Sequence, residues 1–315
     1  MRTFTHDYPH VKNRKRDIMV KKMNIAIAML GIFLIVGSGS SVFAETTILG
    51  VSNTGTDYVI PSEATVIDGS YPIQREVFLY LNPETTVATK EFLEFVISEE
   101  GQDLATEYGF VKLTGGAKER ATDAVTSLMA SHGSNEVEIT GSTTTLQYIT
   151  ACAQQYTAVS VSVNGGGSGV GIADLLADRS DIAMSSRHIR ASEIDDFAAA
   201  HEGKSPVEIP VAVDAIAIIV GGDVGVSGVN FEQLENIFSG TYTNWSELGG
   251  NDVGIFIVNR EDGSGTRDYF IETIMKDSEL AASNTYNSNA GIVQYVSQTK
   301  GAIGYVGLGY ALDAF

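Results

Sequence analysis

Residues 258–270 read Val-Asn-Arg-Glu-Asp-Gly-Ser-Gly-Thr-Arg-Asp-Tyr-Phe, and this stretch decides the fold. The apolar run 255–258 predicts a strand, and the glycine- and hydroxyl-rich residues 263–266 separate it from a helical pattern. A strand that passes through such a cluster into a helix is typical of an α/β sheet. Because a helix N-terminus leaves unpaired N–H groups and a partial positive charge, the junction is a potential anion site.

Two further junctions have the same design. The β-type run 137–139 leads into Thr-Gly-Ser-Thr-Thr-Thr at 140–145, and the run 159–163 leads into Asn-Gly-Gly-Gly-Ser-Gly at 164–169. Each junction alone is better explained by Ser and Thr acting as plain helix caps. The coincidence of three predicts that several helix ends converge on one small oxyanion.

Arg260 supplies the one cation of these junctions, and its planar fork of donors suits a tetrahedral oxyanion. Asp262 is predicted to hold the guanidinium in place. Hydroxyl and backbone N–H donors are predicted to complete the site, with glycine allowing close approach of the backbone. These residues are Thr143, Thr144, Ser168, Ser264, Gly265 and Thr266.

The rest of the chain fits the α/β interpretation. From residue 137 onward predicted strands alternate with helices, and the strands are apolar, as in a sheet that is covered on both faces. Residues 66–113 read strand, helix, strand, with one helix predicted over 86–108. Residues 114–136 read as a polar, partly helical linker.

The first 44 residues predict export. Lys21 and Lys22 precede the apolar run 25–36, and small residues then lead to Val-Phe-Ala at 42–44. This is the layout of a secretory signal peptide, which would place the protein in the periplasm or at the cell surface. The apolar run is short for a membrane span, so no membrane insertion of the mature domain is expected; the alternative is an uncleaved anchor helix.

Charge excludes some partners. Removal of the seven basic and two acidic residues of 1–44 takes the formal net charge from −19 to −24. So acidic a protein is not expected to bind nucleic acid or an anionic membrane surface. An anion would have to be bound by local dipoles and one arginine, with the long-range field screened over roughly 10 Å at ordinary salt.

The inventory for catalysis is poor. The sequence contains five histidines and the single cysteine Cys152, with no cluster at metal-ligand spacing and no expected cofactor. Val170 breaks the nucleophile-elbow pattern around Ser168, and the junction at 260–266 lacks the Gly-Lys-Ser/Thr ending of a P-loop. The chain is therefore expected not to be an enzyme. The alternative is a secreted phosphatase-like protein that uses Ser168 or Ser264.

Seven segments resemble the solute-binding proteins of ABC phosphate transporters, and together they cover nearly the whole chain after the leader. They are VIDGSYPIQREVFLYLN (66–82), FLEFVISEEGQDLATEYGFVKL (92–113), ITGSTTTLQYI (139–149), VNGGGSGVGIADLLADRSDIAMSSR (163–187), IFSGTYTNWSELGG (237–250), VNREDGSGTRDYF (258–270) and GAIGYVGLGYAL (301–312).

The resemblance implies a two-lobed periplasmic-binding-protein fold of type II, which closes on inorganic phosphate and delivers it to the permease subunits of an ABC importer. The phosphate ligands that it implies by position are Thr143, Thr144, Ser168, Arg260, Ser264, Gly265 and Thr266. A phosphate-sensing surface protein on the same fold is a further alternative.

The chain departs from the family at Ser186. Many members have an aspartate there, which accepts the proton of phosphate and rejects fully ionised sulfate, because two acceptors would then face each other. Ser186 is followed by Arg187 and can still accept through its oxygen lone pairs, so we keep it among the expected ligands.

The order of segments is the second departure. Residues 45–113 resemble the C-terminal portion of the family but come first, directly after the leader. The chain is either a circular permutant, in which 114–136 joins the old ends, or a broken fusion of two tandem copies. A domain-swapped dimer would satisfy the same contacts.

In the permuted order, residues 66–113 and 137–212 form one expected lobe. Residues 213–315 with 45–65 form the other, and two chain crossings near residues 66 and 213 form the hinge.

Overall fold

A computed structural model of the protein describes residues 46–222 and 224–314. The predicted leader 1–44 lies outside the described residues. The described residues belong to one compact unit, which contacts delimit as 43–315. Within them, every helix is too short or too polar to cross a membrane.

Strands alternate with helices along most of the described chain. The strands are β1 (Thr46–Ser52), β2 (Gln74–Leu81), β3 (Glu84–Thr86), β4 (Met129–Ser131), β5 (Glu136–Gly141), β6 (Ser160–Gly165), β7 (Ile182–Ser185), β8 (Val207–Gly221), β9 (Gly228–Asn230), β10 (Phe256–Arg260), β11 (Asn284–Tyr286) and β12 (Ala302–Gly307).

The helices are α1 (Glu63–Ile67), α2 (Val87–Ile97), α3 (Glu99–Glu107), α4 (Gly115–Ser127), α5 (Leu146–Gln155), α6 (Ser168–Leu176), α7 (Ala191–Ala200), α8 (Phe231–Phe238), α9 (Gly265–Phe270), α10 (Asn289–Gln298) and α11 (Leu308–Asp313). A 3₁₀ turn covers Trp245–Leu248, and a π-helical turn, Ile271–Met275, continues α9. The predicted α/β class is confirmed by this arrangement.

One sheet organises the fold. Its strands lie in the order β11-β10-β12-β8-β2-β7-β5-β6, and β1 pairs with both β8 and β9. The strands β5, β6 and β7 are mutually parallel, and so are β10, β11 and β12. Because parallel strands point their carboxyl ends to the same edge, the loops after β5 and β6 emerge side by side.

The long strand β8 runs through the whole molecule. Its first part pairs with β2 and its last part pairs with β1 and β12. The β2–β8 register shifts between Val77 and Phe78, opposite the stretch of β8 that contains Pro210. Proline has no N–H to give to a ladder, so an irregularity in the pairing is expected beside it.

Within the described residues, two large hydrophobic cores and one small cluster lie along the sheet. The first core gathers side chains between Leu49 and Ile73 and between Ala215 and Ala311, together with Val111. The second core gathers side chains between Val77 and Ala212, and the small cluster consists of Phe78, Tyr80, Leu175, Ala183 and Phe197. The change from one core to the other therefore occurs at 73–77 on β2 and at 212–215 on β8, whereas the sequence suggested crossings near 66 and 213. The division into two lobes stays a prediction.

The single helix predicted over 86–108 is wrong in one respect. The chain forms α2 and α3, separated by Ser98 in an extended conformation (φ −67°, ψ 168°). The Ser98 hydroxyl accepts the N–H of Gly101 at 3.3 Å and so caps α3. A Cβ on Gly101 would lie 2.3 Å from the carbonyl oxygen of Phe95, so α3 turns back closely over the end of α2.

Candidate oxyanion site

The three predicted junctions meet in the structure. Arg260, at the end of β10, donates from Nη2 to the Thr143 hydroxyl at 3.0 Å, across 117 positions of sequence. The N–H of Gly169, in the first turn of α6, donates to the carbonyl oxygen of Gly263 at 2.9 Å. The loops after β5, β6 and β10 are thus in direct contact.

Arg260 is the central charge of this cluster. The residue is only 2% exposed, and its Nε and Nη2 donate to the Glu261 carboxylate at 3.0 and 3.1 Å. Its third nitrogen, Nη1, is buried and has no hydrogen-bond partner. Because a buried cationic donor without a partner is costly, this nitrogen indicates a place for an anionic acceptor.

The expected role of Asp262 is wrong. Its carboxylate pairs with Arg267 at 2.7 Å and is 92% exposed. Glu261, whose side chain is 23% exposed, holds the Arg260 guanidinium instead. Because Gly263 turns the chain directly after position 262 with a φ of +84°, the Asp262 side chain points to solvent.

The start of α9 packs against the junction after β6. The Ser264 hydroxyl caps this helix by accepting the N–H of Arg267 at 3.4 Å. A Cβ on Gly265 would lie 2.4 Å from Ser168 Oγ and 2.7 Å from Ser186 Oγ. Glycine is therefore required here, because any side chain would separate the helix from the two serines.

The hydroxyls of Thr144 and Thr266 form a second contact between the junctions, at 2.9 Å. Both threonines and the preceding Thr143 are buried. The backbone carbonyl of Thr143 accepts the phenol hydroxyl of Tyr310 at 2.8 Å. Burial raises the pKa of Tyr310 to about 12, so the phenol stays protonated and remains a donor at neutral pH.

Ser142 is a residue of the site that was not predicted from the sequence. Its hydroxyl donates to Ser186 Oγ at 3.1 Å and accepts the N–H of Thr144 at 3.2 Å. Ser186 in turn lies 3.3 Å from Ser168, hydroxyl to hydroxyl. The signal was present, because Ser142 lies in the same hydroxyl-rich run as Thr143, but its role depends on the strand β7 beside it.

A buried ion pair behind the threonines was also not predicted from the sequence. Arg75 on β2 donates to the Asp214 carboxylate of β8 at 3.0 Å, to the Thr266 hydroxyl at 2.9 Å and to the Gly265 carbonyl at 3.0 Å. Burial lowers the pKa of Arg75 and raises that of Asp214, and the opposite charge of each opposes the shift of the other. The available signal was an arginine at the start of the strand Gln74–Leu81, just before its apolar run 77–81.

A third missed residue, Asn289, begins α10. Its Nδ2 donates to the Thr144 hydroxyl at 3.2 Å, and its Oδ1 accepts the N–H of Gly307 at 3.2 Å. The side chain is fully buried. Asn289 and Arg75 thus each place an obligate donor against one of the paired threonine hydroxyls.

Arg187, the neighbour of Ser186, joins β7 to α9. Its guanidinium donates to both oxygens of Glu193 and, through Nε, to Asp268 at 2.8 Å. Burial opposes the charged form, yet these carboxylates leave the pKa of Arg187 above its usual value. Arg190 also donates to Asp268, at 2.6 Å. This cluster fixes α9 relative to the end of β7.

Most polar atoms gathered here belong to hydroxyls, backbone N–H groups and a compensated guanidinium. Among the described residues, there is no group of three or more His, Cys, Asp and Glu side chains placed to hold a metal ion. The buried Cys152 lies elsewhere in the second core, and burial raises its pKa to about 12. The arrangement suits reversible binding of an anion through hydrogen bonds.

Comparisons with known proteins agree on one kind of relative. A protein-family profile described as a PBP superfamily domain matches residues 120–314. The chain is 33% identical over 187 residues to the phosphate-binding protein PstS of Bacillus subtilis, covering 57% of this chain and 59% of the relative. It is 31% identical over 190 residues to the phosphate-binding protein PstS of Borreliella burgdorferi, covering 56% and 65%.

A solved structure shows a similar fold. It is the crystal structure of a Clostridium perfringens protein described as a phosphate ABC transporter substrate-binding protein with bound phosphate. The match has a TM-score of 0.52 at 35% identity and covers 57% of this chain and 73% of that protein. The chain thus spans about three fifths of the length of the curated relatives described above.

Proposed function

We propose that this chain, which belongs to the PBP superfamily, captures inorganic phosphate outside the cytoplasm for an ABC importer. The type II periplasmic-binding-protein fold expected from the sequence is confirmed by the family match and by the similar solved structure. The names of the relatives support phosphate as ligand and an ABC transporter as partner, and we propose the permease subunits as the part of the transporter that receives the phosphate.

One observation carries the proposal. Arg260 Nη1 is buried without a partner in a guanidinium whose other nitrogens are held by Thr143 and Glu261. Phosphate oxygens are strong acceptors for such a fixed fork, and a charge-assisted hydrogen bond contributes about 1.5–3 kcal/mol. The net charge of the protein opposes anion capture at long range, so this local donor set must provide the affinity.

The remaining ligands in the proposal are donors from all three junctions and from Ser186, which follows β7. Their hydroxyls and N–H groups would surround the phosphate oxygens while Glu261 holds the arginine and the Arg75–Asp214 pair holds α9. The residues that we propose to contact phosphate are Thr143, Thr144, Ser168, Ser186, Arg260, Ser264, Gly265 and Thr266.

Isothermal titration of the purified protein with phosphate tests the proposal. We expect saturable binding at one site, and we expect Arg260→Ala to weaken it at least about 100-fold, because a fully desolvated charge is lost. The matched control is Arg267→Ala, which removes the same charge seven positions further along the chain; Arg267 is 24% exposed and pairs with the exposed carboxylate of Asp262. It should change the dissociation constant by no more than about threefold.

Absence of phosphate binding by the folded wild-type protein would refute the proposal. Equal losses in the two arginine variants would instead assign binding to general charge and exclude the Arg260 site.

We also propose that the protein is not a phosphatase. The Ser168 hydroxyl interacts with Ser186, and the Ser264 hydroxyl caps α9. Activation of a serine nucleophile needs an adjacent base, and neither interaction supplies one. Hydrolysis of p-nitrophenyl phosphate by the purified protein, lost in Ser168→Ala or Ser264→Ala, would overturn this view.

Residues 45–113 are, in our proposal, the C-terminal portion of the fold moved to the front. The family match begins at residue 120, yet β2 lies in the sheet between β7 and β8. A rearranged gene that encodes 114–315 followed by 45–113 should yield a monomer that binds phosphate as the natural order does. An unfolded product, or binding only in a dimer, would favour the tandem-fusion or domain-swap alternatives.

A further inference from the structure

We propose that the site binds tetrahedral oxyanions as a class, phosphate and fully ionised sulfate alike, because a reversible chain of three serine hydroxyls adapts to the protonation state of the anion. The chain consists of Ser142, Ser186 and Ser168. The inference rests on the proposed function, since it concerns which anions that same site accepts.

Backbone donors fix the two ends of the chain. The N–H of Thr144 donates to Ser142 Oγ at 3.2 Å, and the N–H of Ser186 donates to Ser168 Oγ at 3.1 Å. An N–H can only donate, so each of these oxygens has one lone pair occupied. The Ser142 hydroxyl in turn donates a hydrogen bond to Ser186 Oγ, at 3.1 Å.

The middle of the chain can take two directions. Ser168 and Ser186 lie 3.3 Å apart, and either hydroxyl can be the donor. When Ser168 donates, both lone pairs of Ser186 are filled, by Ser142 and Ser168. The Ser186 hydroxyl then donates to the anion, so the serine chain offers the anion one donor and no acceptor. This state suits sulfate, which has no proton to give.

The opposite direction suits phosphate. When Ser186 donates to Ser168, both lone pairs of Ser168 are filled and its own proton is directed to the anion. Ser186 keeps one free lone pair, which accepts the P–O–H proton of phosphate. Both states satisfy every hydroxyl of the chain, and they interconvert by rotation of the Ser168 and Ser186 hydroxyls.

Because the three serines are buried, the direction of the hydrogen bonds between them is important. The three serines are no more than 2% exposed, and Gly265 of α9 lies directly against Ser168 and Ser186. Among the described residues, no carboxylate is a hydrogen-bond partner of these hydroxyls. An ionised carboxylate could accept but never donate, and it would exclude sulfate by leaving two buried acceptors face to face.

Separate titrations of the protein with phosphate and with sulfate test the inference. The two dissociation constants of the wild type should agree within about tenfold, since neither anion leaves a buried polar group unpaired. Ser186→Asp should raise the sulfate-to-phosphate ratio of dissociation constants at least about 100-fold, because the new carboxylate only accepts.

Ser185→Ala is the matched control. Ser185 is the adjacent buried serine, and its hydroxyl donates to the Arg187 carbonyl at 2.8 Å, outside the chain of three. This variant should leave the anion ratio unchanged even if it lowers the melting temperature. The wild-type ratio needs no variant, so the inference can be decided even if Ser186→Asp does not fold.

The outcomes separate this inference from the function on which it rests. Phosphate binding with sulfate more than about 1,000-fold weaker in the wild type would overturn the inference and leave phosphate capture intact. A ratio that Ser186→Asp does not move would also overturn it. Failure to bind either anion, or binding of sulfate alone, would refute the proposed phosphate function as well.

Discussion

The loop that begins at Arg260, the last residue of β10, and the serine chain that follows β5, β6 and β7 line the proposed site but offer an anion different things. The loop carries the charge, through Arg260, and compensates it locally through Glu261. The serine chain carries no charge and joins its members by hydroxyl hydrogen bonds that can reverse. Charge has a fixed sign, whereas a hydroxyl can donate or accept.

This difference separates affinity from selectivity. A buried guanidinium favours any oxyanion over a neutral ligand, so the loop is expected to determine how tightly an anion is held. A group that can only accept, such as a carboxylate, distinguishes the protonated oxygen of phosphate from the bare oxygens of sulfate, whereas the reversible hydroxyl of Ser186 is proposed to serve both anions. Substitutions in the two regions should therefore have different consequences.

After Arg260→Ala, the largest expected effect comes from separating the two regions. In Gly265→Ala the new Cβ would meet Ser168 Oγ at 2.4 Å, so the start of α9 must move away from the serines. Overpacking of this kind costs about 1–3 kcal/mol, and we expect phosphate affinity to fall roughly 100-fold by titration calorimetry.

The control for this variant is Gly116→Ala in α4, where the nearest atom to a Cβ would be Arg120 Nη1 at 3.9 Å. It should bind phosphate normally and gain up to about 1 kcal/mol of stability from helix propensity. Wild-type affinity in Gly265→Ala would mean that α9 and the serines do not close on a shared ligand.

Substitutions of the two acidic residues in the charged loop should have intermediate effects on stability. Glu261→Gln leaves the buried Arg260 without its counter-charge, and we expect the free energy of unfolding to fall by about 1–2 kcal/mol, a value reduced for the partial exposure of Glu261. Asp262→Asn should change it by less than about 0.5 kcal/mol, because its pair with Arg267 is at the surface. Urea denaturation measures both; the reverse ranking would restore Asp262 as the partner of Arg260.

The smallest predicted effect concerns the ion cluster that connects β7 with α9 outside the proposed site. Asp268 accepts from Arg187 and Arg190, so Asp268→Asn weakens the connection from β7 to α9. We expect about a fivefold faster dissociation of phosphate with little change in its association rate, measured by stopped-flow fluorescence. An unchanged dissociation rate would show that this ion cluster stabilises the fold without holding the two regions together.

Local sequence was sufficient for the α/β class and for the three junctions. Hydrophobic runs that end in Gly, Ser and Thr are strong signals because strand burial and helix capping are decided by near neighbours. Thr143, Ser168 and Arg260 were found this way, and the structure brings all three junctions into contact.

Side-chain partners were harder to predict. Asp262 was expected to hold the Arg260 guanidinium, but the turn at Gly263 sends its side chain to solvent. Position in sequence does not fix side-chain direction where the chain leaves a strand. The break between α2 and α3 at Ser98 was not predicted for a related reason. The helical spacing of hydrophobic residues continues across Ser98, but the helical backbone conformation is interrupted there.

The supporting residues were out of reach of the sequence. Arg75 contacts Thr266 across 191 positions, and Asn289 contacts Thr144 across 145, each through a buried side chain. Such pairs form only in the folded sheet, in which β2 lies on one side of β8 and β12 and β10 lie on the other side.

The amino-acid sequence by itself determined which elements form and which residue types stand at the strand ends, because periodicity, capping and turn chemistry act over a few residues. Only the tertiary structure decided which donor faces which acceptor. Hydrogen-bond direction depends on distances of a few ångströms between segments more than a hundred residues apart, and no local propensity encodes those distances.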